Sequence, residues 1–273
     1  MRFALVPNGK FVMGSPATEA GHNAPGWGRE TEHDVIITRD FHLSVTLVTQ
    51  AQFRRVMGFN PSFFSHDGQP AGAGAYPTTA PAGGSDQVAA FTQKELDEFP
   101  VDNVSYDDAK VFCDRLAALP AERAAGRVYR LPTSAEWEYA CRGGPTSSRK
   151  PFHFKQPSDS LSSFQANFNG LEPYGGGAVG PKLWRTCKVA SFEPNALGLY
   201  DMHGNVWEWC WDWYAEYPAD PATNSKGPER GASRVFRGGS WYGFAQYCRA
   251  AASGLNTPEY RLTYIGFRLV RPL

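Results

Sequence analysis

The chain lacks most of the features that would assign it quickly. No stretch is apolar for long enough to cross a membrane. Its 27 Lys and Arg residues are balanced by 27 Asp and Glu, and no basic run follows the chain, so nucleic acid is not an expected partner. Cysteine is scarce: Cys113, Cys141, Cys187, Cys210 and Cys248 are an odd number at irregular spacing without a Cys-x-x-Cys pair, which excludes a disulfide framework or a zinc ribbon and leaves reduced thiols as the expectation. The apolar start is broken by Pro7, Asn8 and Gly9, too early for the core of a secretory signal. A cytoplasmic location is therefore expected. Neither an internal repeat nor a break in composition divides the chain, so residues 1–273 are expected to form one domain, and a monomer.

What is abundant is aromatic. Half of the eight tryptophans lie between Asn195 and Tyr214, in a stretch punctuated by Gly and Asn that reads as short strands and tight turns. Trp207, Trp209, Trp211 and Trp213 alternate at period two, which predicts one face of a strand and a hub of packing. Asp201, Asn205 and Glu208 bring oxygens close together within a Gly-containing turn. A hard cation would need oxygens at about this density; a hydrogen-bonded turn without metal is the alternative.

Along the chain, the first forty-odd residues read as strands with long loops. Thr49 with Gln52, Ser105 with Asp108 and Thr133 with Glu136 are helix starts, since a hydroxyl and an acid or amide at that spacing satisfy each other's backbone donors. They predict a helix from Thr49 to Met57 ended by Gly58, one from Ser105 to about Leu119, and one from Thr133 ended by Gly143 and Gly144. Residues 66–95 are rich in Gly, Ala and Pro and read as a surface insertion. Short helices among irregular strands give an α+β fold rich in loops.

Four ordered segments carry a resemblance: Val104-Ser105-Tyr106 through Cys113, Arg130-Leu131-Pro132-Thr133 through Gly144, Asn195 through Trp213, and Arg237-Gly238-Gly239-Ser240-Trp241 through Gly266-Phe267-Arg268. Together they resemble the formylglycine-generating enzyme (sulfatase-modifying factor) family, which implies its variant of the C-type lectin fold. In the family's oxidases a pair of cysteines binds copper and converts a substrate cysteine to formylglycine. Cys248 keeps the second position of that pair, whereas the first falls on Gly243, so the resemblance implies no copper site and no catalytic residue here. A lone Cys248 remains either a reactive thiol or a small buried hydrophobe. The histidine-rich helical domain of the family's iron-dependent sulfoxide synthases is missing. One calcium site of the family maps onto Asp201, the carbonyls of Gly204 and Val206, and Glu208, implying a structural Ca²⁺ or Mg²⁺. A second would begin at Asn167 and Phe168, but its later ligands land on Pro181 and Leu183.

Residues 234–271 are similar to the variable region of a diversity-generating retroelement protein. Fixed residues alternate there with Phe236, Tyr242, Gly243, Phe244, Tyr247, Ala252, Ser253, Gly254, Leu255, Asn256, Tyr260, Leu262, Thr263 and Tyr264. Each of these can be encoded by an Asn codon whose adenines have been rewritten. Tyr, Ser, Gly and Asn with some Phe and Leu suit an adaptable binding surface; ordinary core at Phe244, Leu255 and Leu262 is the bland alternative. The expected function is a ligand-binding protein, not an enzyme, with a protein or glycan as ligand. The alternatives are a copper-dependent formylglycine-generating oxidase or related thiol enzyme, and a structural or regulatory subunit that is not diversified.

Overall fold

The computed structural model describes residues 1–24, 27–68, 84–146, 148–216 and 220–273. Half of the expected 66–95 insertion, residues 69–83, lies outside the described residues. In chain order the elements are β1 (Phe3–Val6), β2 (Gly9–Met13), β3 (His33–Ile37), β4 (Phe41–Ser44), α1 (Gln50–Met57), α2 (Gly84–Val88), α3 (Gln93–Leu96), α4 (Tyr106–Ala118), α5 (Pro120–Ala124) and α6 (Ser134–Cys141). There follow β5 (Phe152–His153), β6 (Pro157–Ser158), β7 (Trp207–Trp213), β8 (Ala222–Thr223), β9 (Arg234–Arg237), β10 (Ser253–Asn256), β11 (Ile265–Gly266) and β12 (Val270–Pro272). The strands pair in the orders β1-β4-β12, β10-β9-β7-β11, β2-β3-β8 and β5-β6.

The expected helix starts all form as reciprocal caps. Thr49, Ser105 and Thr133 accept from the backbone N–H three residues on, and the side chains of Gln52, Asp108 and Glu136 return the bond. Gly58 closes α1 in the left-handed region, at φ 86°, which other residues reach only with strain. Within the described part of the insertion, residues 84–95 are not bare loop. Thr92 and Glu95 cap α3 in the same reciprocal way, and Val88 is buried with Phe64, Leu96, Phe99 and Trp241.

The tryptophan alternation holds for only half of β7. Trp207 and Trp209 are buried, but Trp211 is 37% exposed while Cys210 and Asp212 turn inward. Cys210 faces one apolar cluster and Trp207 and Trp209 the other, so the strand is buried on both sides and Trp211 lies outside the core, where pairing with β9 is irregular between Trp209 and Trp213.

Two large apolar clusters lie on either side of this strand, one built on β2, β3, β4 and α6, the other on α1, α4 and residues 262–269. Charged groups thread between them in pairs. Arg268 forks onto Glu208 through Nε–Oε2 at 2.5 Å and Nη2–Oε1 at 2.9 Å, with both side chains fully buried. Glu138 holds Arg142 at 2.8 Å and Arg237 at 3.1 Å. Such buried forks fix geometry more than they add net stability.

Candidate binding surface

The expected contact residues separate into a buried set and an outer set. Phe236 stands opposite Trp209 in one direction and Gly254 in the other, and its ring meets Trp207 edge-on at 5.1 Å. A Cβ at Gly254 would come within 2.0 Å of Phe236 Cε2, so the ring lies directly against the strand backbone. Ala252 and Ser253 are buried, and Arg237 Nη1 reaches the carbonyls of Ala250, Ala251 and Ala252. Leu262 belongs to the cluster of Phe53 and Phe112, and the Thr263 carbonyl accepts from Trp241 Nε1 at 3.0 Å. Phe236, Ala252, Ser253, Gly254, Leu262 and Thr263 are therefore core and backbone support, a correction to their expected place on an outer face.

Tyr242, Gly243, Phe244, Tyr247, Leu255, Asn256, Tyr260 and Tyr264 are at least partly exposed. Two ring pairs form among them: Tyr242 stacks on Tyr264 at 6.0 Å and Phe244 on Tyr247 at 6.1 Å. Tyr260 joins neither pair and packs against the cluster of α1 and α4. The supporting frame is largely backbone. Trp241 N–H donates to Asn205, Asn169 N–H to Gly243 and Ala245 N–H to Glu172, which ties the turn after Gly239 to loops far away in sequence.

One contributor to this surface has no warning in composition or periodicity. Trp27, an isolated tryptophan in a Gly- and Pro-containing loop, stacks on Tyr247 at 4.3 Å and on Trp207 at 5.4 Å. A large ring in a stretch of small residues is the one hint the sequence holds, since such rings rarely stay solvated.

Cys248 is buried, and that burial pushes its thiol up to about 12. The histidine that approaches it, His203, is already committed to backbone. Its Nε2 accepts from His153 N–H at 2.8 Å, so Nδ1 carries the proton and donates to the Cys248 carbonyl at 2.7 Å. Burial also holds that imidazole down to about 4. A thiol needs an adjacent base or cation to become a thiolate at neutral pH, and this pair offers neither. At Gly243 a Cβ would meet Tyr247 Cδ2 at 3.6 Å and Ser240 atoms at 3.9 Å. The space for a second cysteine exists, but the side chain does not.

The expected calcium ligands Asp201, Gly204, Val206 and Glu208 are all buried. Asp201 Oδ2 accepts from Ala190 N–H at 2.8 Å, while Oδ1 has no hydrogen-bond partner. Both oxygens of Glu208 are taken by Arg268. The set thus presents one uncommitted buried carboxylate oxygen, and a cation there would share Glu208 with the guanidinium.

Comparisons with known proteins show the family and the fold. The model of the sulfatase-modifying factor enzyme 1-like domain matches residues 2–273. The formylglycine-generating enzyme of Streptomyces coelicolor is 33% identical over 299 aligned residues, covering 96% of this chain and 87% of the relative. Among solved structures, Treponema denticola variable protein 1 superposes with a TM-score of 0.71 at 26% identity, covering 99% of this chain and 95% of that one. PvdO from Pseudomonas aeruginosa superposes with a TM-score of 0.74 at 27% identity, covering 99% and 94%. The few short helices and small curled sheets are the C-type lectin-like fold in its formylglycine-generating enzyme form. The chain belongs to the sulfatase-modifying factor enzyme 1-like family, that of the formylglycine-generating enzymes.

Proposed function

We propose that this chain is a ligand-binding protein that does no catalysis, with its recognition surface on the C-terminal segment between Tyr242 and Tyr264. The observation that carries the reading is the contrast within one turn: Phe244 stands 43% exposed beside Tyr247, while Cys248 is fully buried with no base to activate it. Aromatic rings presented on a backbone-held turn give large contact area for little entropy lost. The likeness to a variable protein over nearly the full length supports the same direction. Under this reading the outer set would vary between copies and the buried set would not, and the ligand is a protein or glycan.

A structural Ca²⁺ at Asp201, Gly204, Val206 and Glu208 is part of the proposal, supported by the lone Asp201 Oδ1. Its role would be stability, since a carboxylate oxygen buried without a partner is costly.

The competing reading is the oxidation named for the Streptomyces relative. Incubating the protein with a sulfatase-type cysteine peptide, copper and oxygen, and reading the peptide by mass spectrometry, separates the two. An unchanged thiol is expected. Formylglycine that disappears in Cys248→Ser would overturn the reading.

A further inference from the structure

The segment between β2 and β3, whose described residues are 15–24 and 27–30, runs beneath the proposed surface and is held by bonds at its ends and to the C-terminal segment. Its ends are pinned together by Ser15 N–H to the Glu30 carbonyl at 2.9 Å and Ser15 Oγ to Glu30 Oε2 at 2.7 Å. Its middle is clamped by one side chain from the C-terminal segment. Arg249 reaches Glu30 through Nη1–Oε2 at 2.7 Å and Nη2–Oε1 at 2.8 Å, Glu19 at 2.5 Å and the Gly21 carbonyl at 2.8 Å. All three charged side chains are buried. Gly28 N–H donates to the Ser253 carbonyl at 2.9 Å, and a Cβ on Gly28 would meet Ser253 Oγ at 2.1 Å.

This clamp sets Trp27 in the middle of a run of four near-parallel rings. From core to solvent the order is Trp207, Trp27, Tyr247 and Phe244, with interplanar angles of 21°, 28° and 21°. We infer that this segment is a strap closed by Arg249, and that Trp27 is a positioning residue for Tyr247 and, through it, for Phe244. The scaffold thereby contributes a fixed ring to a surface whose outer rings differ, and opening the strap would release both. The inference deepens the proposed function and rests on it for its meaning, though the contact itself can be read without any ligand.

Protein labelled with 3-fluorotyrosine gives one fluorine resonance per tyrosine, and Tyr247→Phe identifies the relevant one. Trp27→Leu keeps an apolar side chain and should move the Tyr247 resonance while leaving those of Tyr106 and Tyr139 in place; an unmoved Tyr247 resonance would overturn the assignment. The strap is tested separately with Glu19→Gln, Glu30→Gln and Arg249→Met combined, which removes all the clamp's charges at once. Chymotrypsin should then cut after Trp27 about tenfold faster or more, because cleavage follows the population of the opened segment, while cutting after exposed Phe164 keeps its rate. Equal rates at Trp27, or loss of the whole fold in the triple variant, would contradict a strap that opens by itself. A shifted Tyr247 resonance in a protein that proves to bind nothing would sink the proposed function and leave the placement of Tyr247 by Trp27 standing.

Discussion

Gly254 lies so close beneath Phe236 that a Cβ at position 254 would stand 2.0 Å from Phe236 Cε2. At Gly243 the same added atom meets nothing nearer than 3.6 Å. Gly254→Ala should therefore destabilise the protein by about 1–3 kcal/mol through overpacking, and Gly243→Ala by less than about 1 kcal/mol. Urea unfolding of the two variants decides it, and equal effects would mean that the two glycines do not differ as described.

The same division separates the aromatics. Phe236→Ala should cost about 3–5 kcal/mol of stability, as for other large side chains cut out of a core. Phe244→Ala, at a partly exposed ring, should stay within about 1 kcal/mol and lower only affinity once a ligand is found. Thermal unfolding of both variants checks the first half of this without a ligand.

Arg268 and Glu208 form a buried pair. Arg268→Met strips the buried Glu208 carboxyl of its partner in the core, and should destabilise by about 3–5 kcal/mol. Glu208→Gln together with Arg268→Met should recover much of that loss; a double variant worse than the single one would contradict the pairing.

Asp212 is buried beneath Ser134, whose N–H donates to Oδ2 at 2.7 Å, and burial raises its carboxyl to about 7. A carboxyl whose folded value lies above its unfolded value of 3.8 binds more protons folded than unfolded between the two. Its contribution is therefore present at acid pH and lost as pH climbs from about 4 to about 7, by a total on the order of 4 kcal/mol. Asp212→Asn keeps an oxygen for Ser134 and should flatten that part of the stability–pH curve relative to the parent; parallel curves would contradict the burial argument.

The calcium proposal predicts that chelator lowers the melting temperature and that added Ca²⁺ restores it, because an ion bound only by the folded state stabilises it. Asp201→Asn should abolish the response. A melting temperature indifferent to both treatments would remove the ion from the account.

What was legible in the sequence was mostly local. A hydroxyl and an acid or amide three residues apart located α1, α4 and α6, because each cap is a bargain among near neighbours. The same pattern at Thr92 and Glu95 is obscured by a surrounding stretch whose composition reads as loop. Long-range geometry was less accessible. The burial of both faces of β7, with Trp211 left outside the core, depends on the elements packed against the strand. So does the depth of Phe236 and Leu262, which codon chemistry alone placed with the outer set. Trp27 meets Tyr247 and Arg249 meets Glu30 from more than two hundred residues away, pairings invisible in either segment by itself. The loss of the first copper-type cysteine at Gly243 could be read directly; the burial of Cys248 behind the backbone-committed His203 could not.

The central claim is that an outer set of C-terminal residues is free to vary while an inner set holds the fold. The DNA around the coding region tests it most directly. The account predicts a template repeat for codons 234–271 that carries adenines where the codons for Tyr242, Gly243, Phe244, Tyr247, Leu255, Asn256, Tyr260 and Tyr264 differ from it, and matches the coding copy at Phe236, Gly254 and Leu262. A repeat with its adenines at those three core codons, or flanking DNA with no repeat and no reverse transcriptase, would contradict it.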